Sequence, residues 1–265
     1  MAMPRSIPMY QKDAAVHKLV TKIVSCLPIG SLSETDRSFF KGADTSDHVV
    51  STEDTVFHPQ GGGQPSDIGE MKPQDGDGSF SVKCARKLPD SQIYHLGSFQ
   101  NTQKFFNGGE SVAQNINSAT RNYHSRYHTA GHILGLAVKQ LRDIVGTVSE
   151  LKANHAPGAA FVEFRGLIAG EHKAAIQEKT SSLIQSNLEV KVDWWDVQTA
   201  ISRGVALPEG SAESQGNIRV VDVVGAGAYA CGGTHLPETR DIGGIVVRKI
   251  SRQKGITKIS YEITD

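Results

Sequence analysis

The sequence predicts an α+β fold in two parts, an all-β unit of short strands over residues 1–110 and a metal-bearing α+β unit over residues 111–265. Three observations carry that expectation. Short runs rich in β-branched residues, punctuated by glycine-rich turns, fill the first part. A long stretch of helical periodicity opens the second, with Tyr127, Ala130, Leu134, Ala137, Val138 and Leu141 at three- and four-residue steps. Within it His128 and His132 stand four residues apart, and a second pair, Cys231 and His235, stands four apart in a turn containing Gly232 and Gly233.

Composition bounds the answer before any motif is weighed. At 265 residues the chain has room for two domains of ordinary size. Hydrophobic residues make up 38% and charged residues 21%, as in ordinary soluble proteins. Lys+Arg and Asp+Glu both number 28, so no global field draws in a polyanion, and any nucleic-acid contact has to come from a local patch. Cysteines at 26, 84 and 231 do not form an even framework of bridges; a reducing compartment with thiols available for metal is the simpler expectation. No apolar run is long enough for a membrane span. The opening Met1 to Lys12 lacks the apolar core of a secretory signal; its acid-free composition, with Arg5 and Lys12, suits a weak organellar presequence, and the cytoplasm is the default.

Along the first part, Leu19 to Cys26 reads as a strand bounded by Pro28 and Gly30, and Val49 to Phe57 as a strand or strand pair around Glu53-Asp54. His58 to Asp67 follows, with Gly61, Gly62 and Gly63 in succession. Such bare backbone can bring N–H groups against an anion or an ester, and Gln64 adds an amide able to position a water or a carbonyl; a plain flexible turn is the competing reading. Gln74 to Gly78 is a turn signal, Phe80, Val82 and Cys84 alternate after it, Ile93 to Phe99 is extended, and Asn107-Gly108-Gly109 closes a hairpin. Val112 and Ile116 then lead toward the long helix, capped by Asn117 or Ser118 and running to about Arg142.

In the second part, Ile144 to Ser149 and Ala159 to Phe164 read as neighbouring strands, with Thr147 and Ser149 on one side of the first. Glu171 to Gln185 reads as a helix, Val190 to Trp194 as a strand, and Trp194-Trp195 as a core and sheet-edge pair. Ile218 to Val224 is an apolar strand leading to the Cys231 turn, and Ile242 to Ile250 with Ile256 to Ile263 forms a closing hairpin. Arg248, Lys249, Arg252, Lys254 and Lys258 make that hairpin the most basic local patch, either a charge-protected edge or a phosphate contact.

Histidines at i and i+4 share a helix face, and thiol with imidazole in one turn suits zinc. His124 lies one turn further back; three histidines spread over two helical turns do not fit a tetrahedron, so His124 is assigned to solvent or RNA.

Three motifs in order, Gly61-Gly62-Gly63-Gln64-Pro65-Ser66-Asp67, His128-Thr129-Ala130-Gly131-His132 and Cys231-Gly232-Gly233-Thr234-His235, resemble the alanyl-tRNA editing family, in particular the free-standing AlaX proteins, which are similar to the editing domain of alanyl-tRNA synthetase. The resemblance implies a translation-type β-barrel followed by a zinc-bearing α+β editing domain with helices on an antiparallel sheet. Together with the ligand chemistry it implies one Zn2+ shared by His128, His132, Cys231 and His235. It further implies hydrolysis of serine, or of glycine, wrongly esterified to alanine tRNA, which makes the mischarged tRNA the partner. Synthetase activity is not implied. His58, where relatives carry tyrosine or an apolar residue, and the loop 208–217 depart from the family pattern.

Four protein ligands fill a tetrahedron. Either His235 or Cys231 is loosely held, or the zinc positions the substrate while Gly61 to Gln64 orient the water. Gln64 is the candidate catalytic residue, Gly61, Gly62 and Gly63 the candidate substrate cradle, and Thr147 and Ser149 the candidate sensors of a serine hydroxyl. A non-catalytic tRNA-binding zinc module and a deacylase acting on Ser-tRNA(Thr) are the rival readings.

Overall fold

A computed structural model describes residues 6–75, 78–101, 104–207 and 216–265. The chain divides into two compact units, Met1–Gly61 with Pro65–Arg121, and Gly62–Gln64 with Asn122–Asp265.

The first unit is built on six strands: β1 (Lys18–Pro28), β2 (His48–Thr52), β3 (Gly69–Pro73), β4 (Phe80–Lys87), β5 (Ile93–Phe99) and β6 (Ser111–Ile116). They pair antiparallel in the order β1-β2-β5-β4-β3-β6 and close through β6 and β1, so the expected barrel is present. Alternation does the sorting. In β6 Val112, Gln114 and Ile116 are buried while the residues between them are less covered, as a half-buried strand requires. The inner set includes Ile23, Val50, Met71, Phe80, Val82 and Val112. Gln114 is tolerated among them because its amide is used, donating to Thr52 Oγ1 at 3.0 Å and accepting from the Val56 N–H at 2.9 Å. The stretch read as leading into the helix, Val112 to Ile116, is thus the strand that closes the barrel. Of the expected strand or strand pair over Val49 to Phe57, β2 ends at Thr52 and a separate two-residue strand, Asp54–Thr55, follows Glu53 and pairs in parallel with Ile7–Pro8.

A second feature of this unit is the buried pair Arg121 and Asp67, whose guanidinium and carboxylate are almost wholly enclosed. Arg121 Nε donates to both Asp67 carboxylate oxygens at 3.0 Å and its Nη1 donates to the Ala14 carbonyl at 2.9 Å, while Asp67 also accepts from the His58 N–H. The last residue of the Gly61 to Asp67 motif is therefore an internal anchor of the barrel unit.

The division between units falls inside helix α1 (Ser118–Gln140), between Arg121 and Asn122. Asn117 caps it through Oδ1, which accepts from the Thr120 N–H at 2.9 Å. In the second unit the buried stripe of α1, including Tyr127, Ala130, Leu134 and Ala137, joins Val162, Phe164, Ile259 and Tyr261 in one core. Those sheet residues come from β7 (Ser149–Asn154), β8 (Phe161–Arg165), β12 (Gly244–Gln253) and β13 (Ile256–Thr264), which form an antiparallel sheet in the order β12-β13-β8-β7. Helix α2 (Lys173–Gln185) is pinned to β12 by Gln177, which donates to the Ile245 carbonyl and accepts from the Val247 N–H. A second sheet, β9 (Val190–Trp195), β10 (Ile218–Val223) and β11 (Gly227–Ala230), ends directly before Cys231. Trp195 is buried and Trp194 is exposed, as expected of a core and edge pair.

Ile144, expected in a strand, lies in the short helix Arg142–Val145 instead, because a single helical turn closes after Leu141 and ends at Gly146 with φ of 83°. Residues 208–215, most of the loop noted as unlike the family, and residues 76–77 of the Gln74 to Gly78 turn lie outside the described residues.

Candidate metal centre

Four side chains of the second unit converge as the two spacings require. His128 and His132 project from one face of α1, and both are buried. The turn after β11 brings Cys231 and His235 against them. A β-carbon at Gly233 would lie 2.3 Å from His128 Cε1 and 2.8 Å from Gln64 Oε1, so only glycine lets the turn approach the helix this closely. One ligand atom from each of the four lies within 4.8 Å of all the others. Cys231 Sγ is 3.4 Å from His128 Nε2 and 3.3 Å from His235 Nε2. Zinc bonds of about 2.3 Å to sulfur and 2.0–2.1 Å to nitrogen give tetrahedral edges of about 3.5 Å, so these separations fit.

The surrounding hydrogen bonds choose the tautomers. His128 Nδ1 is 2.7 Å from Gln64 Oε1, which also accepts from the Thr234 N–H at 3.0 Å. An amide oxygen only accepts, so His128 carries its proton on Nδ1 and turns the Nε2 lone pair toward Cys231. Gln64 Nε2 donates to Thr234 Oγ1 at 2.8 Å. His235 is set the same way: Thr129 donates its hydroxyl hydrogen to the Ser125 carbonyl, and its oxygen, 3.2 Å from His235 Nδ1, is left to accept. Partners on the far nitrogen of a ligating histidine orient the ring and raise its basicity. His132 Nδ1 is buried without a hydrogen-bond partner among the described residues, a nitrogen that coordination can satisfy. Burial holds His132 well below the usual histidine range, and His155 and Arg219 add to the effect, so the ring is neutral as a ligand must be. Burial likewise pushes the Cys231 thiol up to about 11; a divalent cation supplies the charge that turns such a thiol into thiolate. The donor set therefore fits zinc.

Gln64 is not the exposed loop amide that the glycine run suggested. It is fully buried, and both ends of its amide are engaged by His128 and Thr234. Gly62 and Gly63 adopt φ of 57° and 79°, and the Gly63 carbonyl accepts from the His155 N–H at 2.8 Å. Gly61 falls with the barrel unit. Thr147 lies in an exposed bend before β7, not on the strand, since the helical turn up to Val145 displaces the strand start to Ser149. His124 is half-buried and outside the cluster.

Ser149 lines a cavity of about 260 Å³ together with Gly135, Leu136, Glu150, Phe164 and Tyr229. Tyr229 joins this cavity to the metal centre: its ring packs on His132, centroids 4.1 Å apart, and its hydroxyl donates to Glu150 Oε2 at 3.1 Å. Register pairs Glu150 with the core-facing Phe164 and Ser149 with Arg165, so alternation directs Glu150, rather than Ser149, toward the core side. Although Glu150 is exposed as a residue, its carboxylate packs beside Gly135 and Tyr229, and desolvation raises its pKa to about 7, against a smaller opposing effect from the Tyr229 hydrogen bond.

Sequence reasoning missed Glu150, Tyr229 and His155. His155 is stacked on His128 with centroids 4.3 Å apart, and its Nδ1 is 2.7 Å from the Tyr261 hydroxyl, which donates to the Tyr127 carbonyl. Desolvation lowers its pKa to about 3. None of these three stands in a spacing motif; strand pairing places Glu150 and Tyr229, and His155, directly after β7, is held by the Gly63 carbonyl and Tyr261.

The family described as the threonyl and alanyl tRNA synthetase second additional domain matches residues 218–260. An alanyl-tRNA editing protein AlaX-M from Methanosarcina barkeri is 28% identical over 226 residues, covering 83% of this chain and 91% of that protein. Its counterpart from Methanosarcina acetivorans is 28% identical over 79% of this chain and 86% of its own length. An alanine–tRNA ligase from Methanosphaera stadtmanae is 29% identical over 80% of this chain, which spans only 24% of that enzyme.

Proposed function

From the premise that this chain is an alanyl-tRNA editing protein of the AlaX type, we propose that it hydrolyses the ester of serine mischarged onto alanine tRNA at the zinc-binding cluster of His128, His132, Cys231 and His235. The observation that carries this reading is Tyr229, which is at once the neighbour of His132 and, with Glu150, a polar wall of the small, otherwise mostly apolar cavity. A bound zinc would polarise the ester carbonyl.

The chain's own groups do the rest. Gln64 holds His128 in its ligating tautomer and ties the Cys231 to His235 turn to the centre through Thr234; its part in the reaction is positioning. A cavity of about 260 Å³ has room for a small aminoacyl side chain. With the Tyr229 hydroxyl hydrogen given to Glu150, the Glu150 carboxylate and the Tyr229 oxygen keep acceptor capacity, so a serine hydroxyl has partners in this cavity that an alanine methyl cannot use. Ser149 flanks the same cavity as a secondary contact.

The matching domain description covers threonyl as well as alanyl synthetases, so the tRNA must be tested. Zinc-loaded protein is offered Ser-tRNA(Ala), Gly-tRNA(Ala) and Ser-tRNA(Thr) in parallel. Fastest release of serine from alanine tRNA is expected; a preference for Ser-tRNA(Thr) would reassign the substrate, and release from none would leave a non-catalytic tRNA-binding module.

A further inference from the structure

We propose that the open face of the β12-β13-β8-β7 sheet is where the RNA backbone docks, an inference that rests on the tRNA reading above. Val162, Phe164, Ile259 and Tyr261 face the core, so the intervening Phe161, Glu163, Arg165, Lys258, Ser260 and Glu262 face outward on β8 and β13. Lys152 joins them across the β7–β8 pairing opposite Glu163, and β12 supplies the exposed Arg248 and Lys249, with Arg252 toward the hairpin tip. Basic groups outnumber acidic ones on this face, although the whole chain has no net charge. Both acids are already matched, Glu163 by Lys152 at 3.4 Å and Glu262 by Arg248 at 3.1 Å. Among the described residues, Lys249 and Lys258 on this face have no carboxylate within ion-pair distance, which leaves a positive surplus for an anionic partner.

The shape suits a strand of nucleotides. Lys258 Nζ lies 3.6 Å over the Phe161 ring, and two shallow depressions meet at Lys258. One, of about 340 Å³, includes Asn154, Arg248 and Tyr261; the other, of about 460 Å³, includes Ser251, Arg252 and Gln253. Both lie within the size range of small-ligand sites, about 300–1,000 Å³. Cations interleaved with an aromatic ring are the usual surface for a nucleic-acid backbone and an unstacked base.

The test is binding of uncharged alanine-tRNA transcript to the full zinc-loaded chain across a salt series. It compares wild type, the triple variant Arg248→Gln, Lys249→Gln, Lys258→Gln, and a control triple with the same charge loss elsewhere, Arg142→Gln, Lys173→Gln, Lys191→Gln. Glutamine keeps the side-chain stems, and metal content with melting temperature verifies that each variant is folded. The face variant is expected to raise Kd at least tenfold and to flatten the slope of log affinity against log salt by about 2, as loss of about three phosphate contacts does. The control should change Kd less than threefold. Wild-type affinity in the face variant, equal weakening in the control, or no RNA binding by wild type overturns the proposal. Because the RNA carries no ester, wild type that binds it but releases no serine sinks the deacylase reading alone.

Discussion

Glu150 is the residue with the most direct pH signature. Its carboxyl has an ordinary pKa of 4.5 when free and about 7 in the fold, so the folded state favours the protonated form. The associated stability is complete below pH 4.5 and is lost as pH rises through 7. Glu150→Gln is therefore expected to melt higher than wild type at pH 8 and about the same at pH 4.5. An equal offset at both pH values would mean that the carboxylate is solvated. Gln64 gives a second expectation at this scale. Gln64→Ala leaves the His128 Nδ1–H and the Thr234 N–H without their acceptor, so it should cost about 1–3 kcal/mol of stability. It should also weaken zinc binding by about 10- to 100-fold, as loss of a partner behind a metal ligand does. Melting and metal titration of the one variant check both, and an unperturbed protein would return Gln64 to the role of a loop residue. The four-residue His/Cys cluster was legible in the sequence because metal-ligand pairs follow a local spacing rule, whereas Gln64's burial was not: three glycines announce accessible backbone, and nothing local reveals that Thr234 and His128 close over the amide.

At the scale of elements, the long helix, α2 and the closing hairpin were readable because their periodicities are strong and uninterrupted. Misreadings cluster where two rules compete. Ile144 and Val145 have strand-like side chains, yet one helical turn ending at Gly146 captures them. Val112 to Ile116 alternates as a strand should, but its value lies in pairing with both β1 and β3, a long-range fact. The first turn of α1 carries another long-range fact in Arg121. Removing a partner from an enclosed ion pair strands the other charge, so Arg121→Met should destabilise the protein by about 3–5 kcal/mol through the unpaired Asp67. Thermal melting of Arg121→Met beside the double variant with Asp67→Asn checks this. The double variant should recover part of the loss; no recovery would show that the arginine acts by packing.

For the whole molecule, net neutrality excluded a global electrostatic attraction to RNA, and the expectation of a local patch on the Arg248 to Lys258 hairpin now has a defined sheet face to test. Zinc is expected to bind at one ion per chain and to stabilise it, by about 4 kcal/mol at a thousandfold excess over Kd. Chelation should lower the melting temperature, and Cys231→Ala should abolish that response; full metal content in the variant would remove Cys231 from the site. The central claim is that a metal centre and a small cavity joined by Tyr229 discriminate serine from alanine on one tRNA. Its most direct test is the single-turnover deacylation rate of Ser-tRNA(Ala) against Ala-tRNA(Ala), in wild type, Glu150→Leu and Ser149→Ala. Sites that hydrogen-bond a substrate hydroxyl reach ratios of about 10⁴, whereas cavities that only measure size reach about 10–200. The expected result is a large preference for serine in wild type that collapses in Glu150→Leu and survives largely intact in Ser149→Ala; equal rates on the two substrates in wild type would contradict it.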